Sequence, residues 1–179
     1  LFLLLQMKKM KSNQNYKSIL KLLLDSRYLN SNDFYKKLDK AIFRLVGHKL
    51  FTLMVIDQSE KYVERVYSNN KKIYPLLGTK PIPKNAWTKR VLVEKKEYIG
   101  TNFKQIKKLF FDYETIKSLG CGSIINLPVI NNNRVLGTLN ILHKENYYTK
   151  NSLKEVRDFA QLLTPYFMSH QLKMKKNVK

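Results

Sequence analysis

Apolar positions in residues 14–28 (QNYKSILKLLLDSRY) recur at helical spacing. Tyr16, Ile19, Leu20, Leu23 and Leu24 share one face, which predicts a first helix. Ser31, Asn32 or Asp33 can cap a second helix that runs to about Val46, with Phe34, Leu38, Ile42 and Leu45 as its buried stripe and Gly47 as its stop. Residues 50–56 are almost continuously apolar, the mark of a strand buried on both faces. Residues 57–61 are a polar turn. Residues 62–68 alternate and predict the antiparallel partner. From 69 to 83 the chain holds Asn, Pro and Gly with little periodicity, and an irregular excursion of that length in a compact domain is often functional. A short helix at about 85–93 and a brief strand at 98–99 follow. Residues 104–118 then predict one helix, with Ile106, Leu109, Phe110, Tyr113 and Ile116 inward.

The segment 118–143, SLGCGSIINLPVINNNRVLGTLNILH, carries the sharpest signal. Two apolar strand-like runs flank three asparagines, which tolerate the positive φ of a tight hairpin turn. Each run holds one amide in apolar surroundings, Asn126 and Asn140. A buried amide must find a partner, whether protein, water or ligand. Alternation places Leu136, Thr138, Asn140 and Leu142 on one face and Val135, Gly137, Leu139 and Ile141 on the other. A three-residue loop at 131–133 sets Asn126 opposite Thr138, so that both amides line the same mixed polar and apolar face, as in a ligand cavity. They can equally bond each other. Gly137 lacks a side chain where a helix or a ligand comes close, and its apolar face favours the helix.

The last predicted element is a helix over 151–174. Leu153, Val156, Ala160, Leu163, Phe167, His170 and Met174 follow spacings of three and four, a heptad seam that can pack on the sheet, on a partner helix, or on both. Pro165 should kink it.

Composition narrows the function classes. The 179 residues suffice for one domain with extensions, and 44% hydrophobic content supports a core. The net charge of +21 reads either as a basic face for nucleic acid or an anionic membrane, or as lysine spread over every surface. Lysines occur in nearly every segment without an arginine-rich cluster, which favours the second reading. One cysteine excludes an internal disulfide and any cysteine-based metal cluster, and fits a reducing cytoplasm. The opening LFLLLQMKKMK is too short for a membrane span and lacks a preceding basic region and a cleavage site for a signal peptide. It starts with Leu, and Met7 and Met10 offer alternative starts. Residues 1–13 are therefore expected to be disordered or mis-assigned, 14–174 a single domain, and 175–179 a basic tail.

The order of helix, hairpin, irregular loop with short helices, second hairpin and long helix over residues 30–170 resembles a GAF domain. The features that carry it are YSNNKKIYPLLGTKPIPKNAW at 67–87 and the hairpin at 118–143, where Ser123–Val129 and Gly137, Leu139 and Ile141 stand in for the family's two central strands. The resemblance implies an α+β fold: a PAS-like central antiparallel sheet of five to six strands, helices packed on it, and long terminal helices. It implies a non-catalytic sensory or regulatory module that binds a small cytoplasmic molecule and signals through a homodimer of terminal helices or a downstream protein. It names no cofactor. It also implies that Tyr67, Tyr74 and Trp87 lie on or near the loop that covers the pocket, where the one tryptophan either stacks on a planar ligand or plugs the domain. The candidate ligand-binding residues are thus Tyr67, Tyr74, Trp87, Cys121, Ser123, Asn126, Thr138, Asn140 and His143.

Three alternatives stay open at this level. The chain can be a basic interaction module for nucleic acid or an anionic surface, though it has no recognition motif. It can be a small redox enzyme or thiol sensor using Cys121, as in the GAF-fold free methionine-(R)-sulfoxide reductases, but that chemistry normally needs a second, resolving thiol. His143, at a strand end, is a candidate for ligand contact or pH sensing. No phosphate loop, HExxH or Gly-x-Ser-x-Gly occurs, and Asp112 and Glu114, at i and i+2, do not face each other on a helix. No catalytic or metal-ligating set is assigned.

Overall fold

The computed structural model describes residues 17–25, 27, 29–76 and 78–174. The expectations for residues 1–13 and 175–179 fall outside that set. Residues 17–25 form helix α1, and α2 spans Ser31–Val46. Six strands follow: β1 (Leu50–Ile56), β2 (Tyr62–Ser68), β3 (Thr79–Pro81), β4 (Tyr98–Gly100), β5 (Ser123–Asn131) and β6 (Arg134–His143). They form one antiparallel sheet in the order β3-β2-β1-β6-β5-β4, so the second hairpin lies in the middle, against β1.

The long helices cover one face of the sheet. Phe34, Leu38 and Ile42 of α2 pack into a core with Phe51, Leu53 and Val55 of β1, Ile125, Leu127 and Val129 of β5, and Leu139 and Ile141 of β6. The N-terminus of α2 is capped by Asn30, whose side chain accepts the Asp33 amide hydrogen at 3.0 Å, one residue ahead of the expected caps. Gly47 ends the helix at φ 68° and returns its N–H to the Phe43 carbonyl. In α1, Leu22 is the buried residue. Leu20, Leu23 and Leu24, expected inward, are exposed.

The C-terminal segment is not one helix. It comprises α6 (Lys150–Val156), a 3₁₀ stretch (Arg157–Leu163) and α7 (Thr164–Met174). Proline at 165 cannot donate to the Gln161 carbonyl, and its ring crowds that group, so the turn before it tightens. The heptad seam is largely absorbed by the domain's own core: Val156, Ala160, Leu163, Phe167 and Met174 are buried there. A Cβ on Gly137 would stand 2.7 Å from the Phe167 ring and 2.0 Å from the Met54 carbonyl oxygen, so the missing side chain admits both a neighbouring strand and α7.

The other face is covered by shorter pieces: α3 (Ala86–Thr88) running into a π turn (Lys89–Val93), α4 (Phe103–Leu109) and α5 (Tyr113–Ser118). The single helix expected over 104–118 is broken at Phe110, which is extended (φ −116°, ψ 124°). The Leu109 carbonyl turns to the Asn85 side chain at 3.0 Å instead of continuing a helical ladder. The excursion at 69–83 also holds more order than its composition suggests, because Thr79–Pro81 adds an edge strand to β2.

Candidate functional site

The sheet face beneath these short helices is only partly filled. Its cavity encloses about 180 Å³ and is walled chiefly by apolar side chains, among them Leu50, Met54 and Ile56 of β1, Ile124 of β5, Leu142 of β6, and Phe110 at the break between α4 and α5. Into this apolar wall the central strands project a polar row. Thr52, Asn140 and Asn126 are direct cross-strand partners on β1, β6 and β5. The Trp87 indole N–H donates to Asn126 Oδ1 at 3.0 Å, the Asn126 amide donates to Asn140 Oδ1 at 2.7 Å, and the Asn140 amide donates to Thr52 Oγ1 at 3.3 Å. A chain of hydrogen bonds thus runs from the covering segment across three strands, with both amides nearly fully buried. Buried polar rows of this kind are stable only when each member is satisfied.

The register differs from the expected one. The turn is a two-residue loop with Asn132 and Asn133 both left-handed (φ 46° and 59°), and Asn131 pairs with Arg134. A bulge at Leu136 then shifts the pairing by one, and Asn126 meets Asn140 rather than Thr138. Thr138 instead pairs with Pro128 and Met54, and still lines the cavity. Beyond the bulge Val135 pairs with Ile130, and Leu136 takes its place in the helix-side core.

Five of the nine candidate residues come together at the cavity: Tyr74, Trp87, Asn126, Thr138 and Asn140. Trp87 is half-buried and meets Phe110 edge to face, with ring centroids 6.1 Å apart. Tyr74 donates its hydroxyl to Asp112 at 2.8 Å, and burial, then that carboxylate, raises its pKa.

The other four lie elsewhere. Tyr67 is on the helix side, buried against Phe51, and donates to Asp39 at 2.8 Å. The cause is a bulge at Val66: Leu53 pairs with Tyr67 but Met54 with Arg65, so Tyr67 and Arg65 take opposite faces. Ser123 is fully buried and donates its hydroxyl to the Lys144 carbonyl at 2.7 Å. Cys121 sits in a small apolar cluster with Ile116, Ile124 and Leu142, and burial pushes its thiol up to about 11, so it keeps its proton at neutral pH. His143 stacks flat on Tyr147, with centroids 3.5 Å apart, outside the cavity. Burial, then Lys49 and Lys144, lower its pKa, which keeps it neutral at pH 7.

Arg65, which the sequence did not single out, and Asp112, considered there only as a partner of Glu114, also reach the cavity. Arg65 donates to the Pro75 carbonyl at 3.0 Å, and its guanidinium lies 4.9 Å from the centre of the Tyr74 ring. Burial works against its charge. Among the described residues, no group of three or more His, Cys, Asp or Glu could hold a metal ion, and no helix is long and apolar enough to cross a membrane.

No protein-family model and no curated protein sequence matches the chain. Solved structures do match in shape. The GAF domain of a phosphoenolpyruvate-protein phosphotransferase from Coxiella burnetii superposes with a TM-score of 0.70 at 11% identity, covering 90% of this chain and 96% of that one. The GAF domain of a two-component sensor histidine kinase from Bacillus halodurans gives 0.64 at 16% identity, over 80% and 97%. The chromophore-binding domain of a bacteriophytochrome from R. palustris gives 0.63 at 12% identity, over 92% of this chain and 63% of that one. Identities this low speak to the fold and leave the ligand to be argued from the site. With its six antiparallel strands, its long helices on one face and its short ones on the other, the chain has the fold of a GAF domain.

Proposed function

We propose that this chain is a non-catalytic sensory or regulatory domain. It takes a small molecule into the cavity over β1, β5 and β6 and passes occupancy on through a dimer or a downstream protein in the cytoplasm. The observation that supports this most is the cavity itself: an apolar chamber with a few convergent polar groups, the usual make-up of a small-molecule site. The solved structures of similar shape include a sensor-kinase domain and a chromophore-binding domain, which agrees with that reading.

The route outward is short. Thr138 lines the cavity on one face of β6, and its neighbour Gly137 receives Phe167 of α7 on the other. One strand's thickness separates ligand from helix. A ligand that favours one placement of β6 over another biases α7 by the difference in its two affinities. Because the heptad seam is spent on the sheet, the apolar groups a second copy or partner can cover are the exposed ones: Met168 and Leu172 on α7, and Leu20, Leu23 and Leu24 on α1.

A thermal-denaturation screen against small cytoplasmic metabolites tests the proposal. A ligand present at 100 times its Kd should add about 2.7 kcal/mol of stability, or roughly 5–10 °C in Tm for a domain of this size. A screen in which no compound moves Tm would argue against a ligand-binding role.

A further inference from the structure

We propose, building on the cavity's role as a ligand site, that its ligand is a small organic monoanion, a carboxylate on a compact apolar body, and that Arg65 holds the charge. Arg65 is a cation in a largely apolar wall. Among the described residues no carboxylate lies within 4.0 Å of its nitrogens, although the Lys and Arg ion pairs found there are made at 2.5–3.3 Å. The carboxylate on the same wall, Asp112, accepts from the Tyr74 hydroxyl and supports the Arg65 charge only from beyond contact distance. Of the guanidinium's donors, one holds the Pro75 carbonyl, and Nε is buried with no hydrogen-bond partner. A partly desolvated guanidinium with spare donors and no carboxylate in contact is a site for an acceptor of negative charge. Lys80, also on the wall, adds a second positive charge against the single Asp112.

Size limits the partner further. About 180 Å³ lies below the usual range of drug-sized sites, which favours a compact ligand. A short branched or aromatic acid suits it, its body against Leu50, Met54, Ile124 and Leu142, and a polar group within reach of the Asn126–Asn140 pair.

The test uses the full chain and matched pairs of probes, each an acid and its neutral amide: benzoate with benzamide, 3-methylbutanoate with 3-methylbutanamide. Trp87 is the only tryptophan, so the protein shows one indole N–H signal in a ¹⁵N-resolved spectrum, and that group is bonded to Asn126 in the cavity wall. Each acid should move this signal at concentrations at least tenfold lower than its amide. Arg65→Met, which keeps the apolar stem, should shrink the advantage of each acid over its own amide from tenfold or more to less than about twofold. Should Arg65→Met not fold, the wild-type comparison of acid with amide still decides. Amides that bind as well as the acids overturn the role of Arg65 and leave the cavity reading standing. If neither member of any pair moves the signal, the carboxylate assignment falls together with the cavity reading.

Discussion

Gly137→Ala is expected to remove much of the stability of this domain. The added Cβ would stand 2.0 Å from the Met54 carbonyl oxygen and 2.7 Å from the Phe167 ring, in a central strand held on both sides by β1 and β5. A clash with a flexible side chain relaxes cheaply. A clash with the backbone of a paired strand does not, because moving Met54 breaks the ladder that aligns β1 with β6. The loss should be about 4 kcal/mol or more, in the exceptional range for a single substitution, against a total of roughly 5–15 kcal/mol for a domain. In thermal denaturation this corresponds to a fall in Tm of about 10 °C. The identity of the clashing group is testable in the same experiment. Phe167→Leu should recover only the smaller part of the Gly137→Ala loss, since the nearer obstacle is backbone, and because the two residues touch, their losses should not simply add. A loss under about 1 kcal/mol for Gly137→Ala would mean that β6 and β1 are not packed as described.

The second large effect is expected at Asn126, which joins Trp87 to the polar row. Asn126→Ala strands two groups at once: the Trp87 indole N–H and Asn140 Oδ1. Leaving a buried polar group unpaired costs about 1–3 kcal/mol. Trp87 is only half-buried and can turn to water, so most of the loss should come from Asn140, for a total of about 2–3 kcal/mol. The emission of the single tryptophan should shift to longer wavelength as its indole loses a fixed partner.

Asn126→Asp separates hydrogen bonding from shape. The carboxylate still accepts from Trp87 but cannot donate to Asn140 Oδ1, and two oxygens are left face to face in an apolar setting. Burial raises the pKa of such an acid above its unfolded value, so the folded state binds the extra proton. Stability of this variant should therefore rise as pH falls through the raised pKa and drop as pH increases through it, relative to wild type. Wild-type stability in Asn126→Ala, together with unchanged emission, would show that the row carries no load.

The alternation of residues 123–143 and the triple asparagine made the central hairpin legible, and with it the face on which Asn126 and Asn140 sit. Isolated amides in apolar strands were the signal for the site, because such groups demand partners. The register was not legible. It depends on a bulge at Leu136 and a two-residue turn, and neither leaves a mark that distinguishes it from a three-residue loop. A bulge also decides the fate of Tyr67, which the resemblance placed near the covering loop: the register shift at Val66 turns Tyr67 to the helix side and Arg65 to the cavity.

The break at Phe110 was hidden for a different reason. Ile106, Leu109, Phe110, Tyr113 and Ile116 keep helical spacing straight through it, and the interruption is imposed from outside by Asn85, which takes up the Leu109 carbonyl. That break brings Phe110 and Asp112 to the cavity wall, so part of the site is built by a tertiary contact that local pattern does not encode.

The claim that most needs testing is that this cavity holds a small molecule. Protein purified gently from cells should be weighed by native mass spectrometry and the same sample weighed again after denaturation. The account predicts a native mass above that of the bare chain or dimer by one small, defined increment per chain, and release of a compound of that mass on denaturation. A native mass equal to that of the polypeptide alone, with no shift when the carboxylate probes are added in excess, would contradict it.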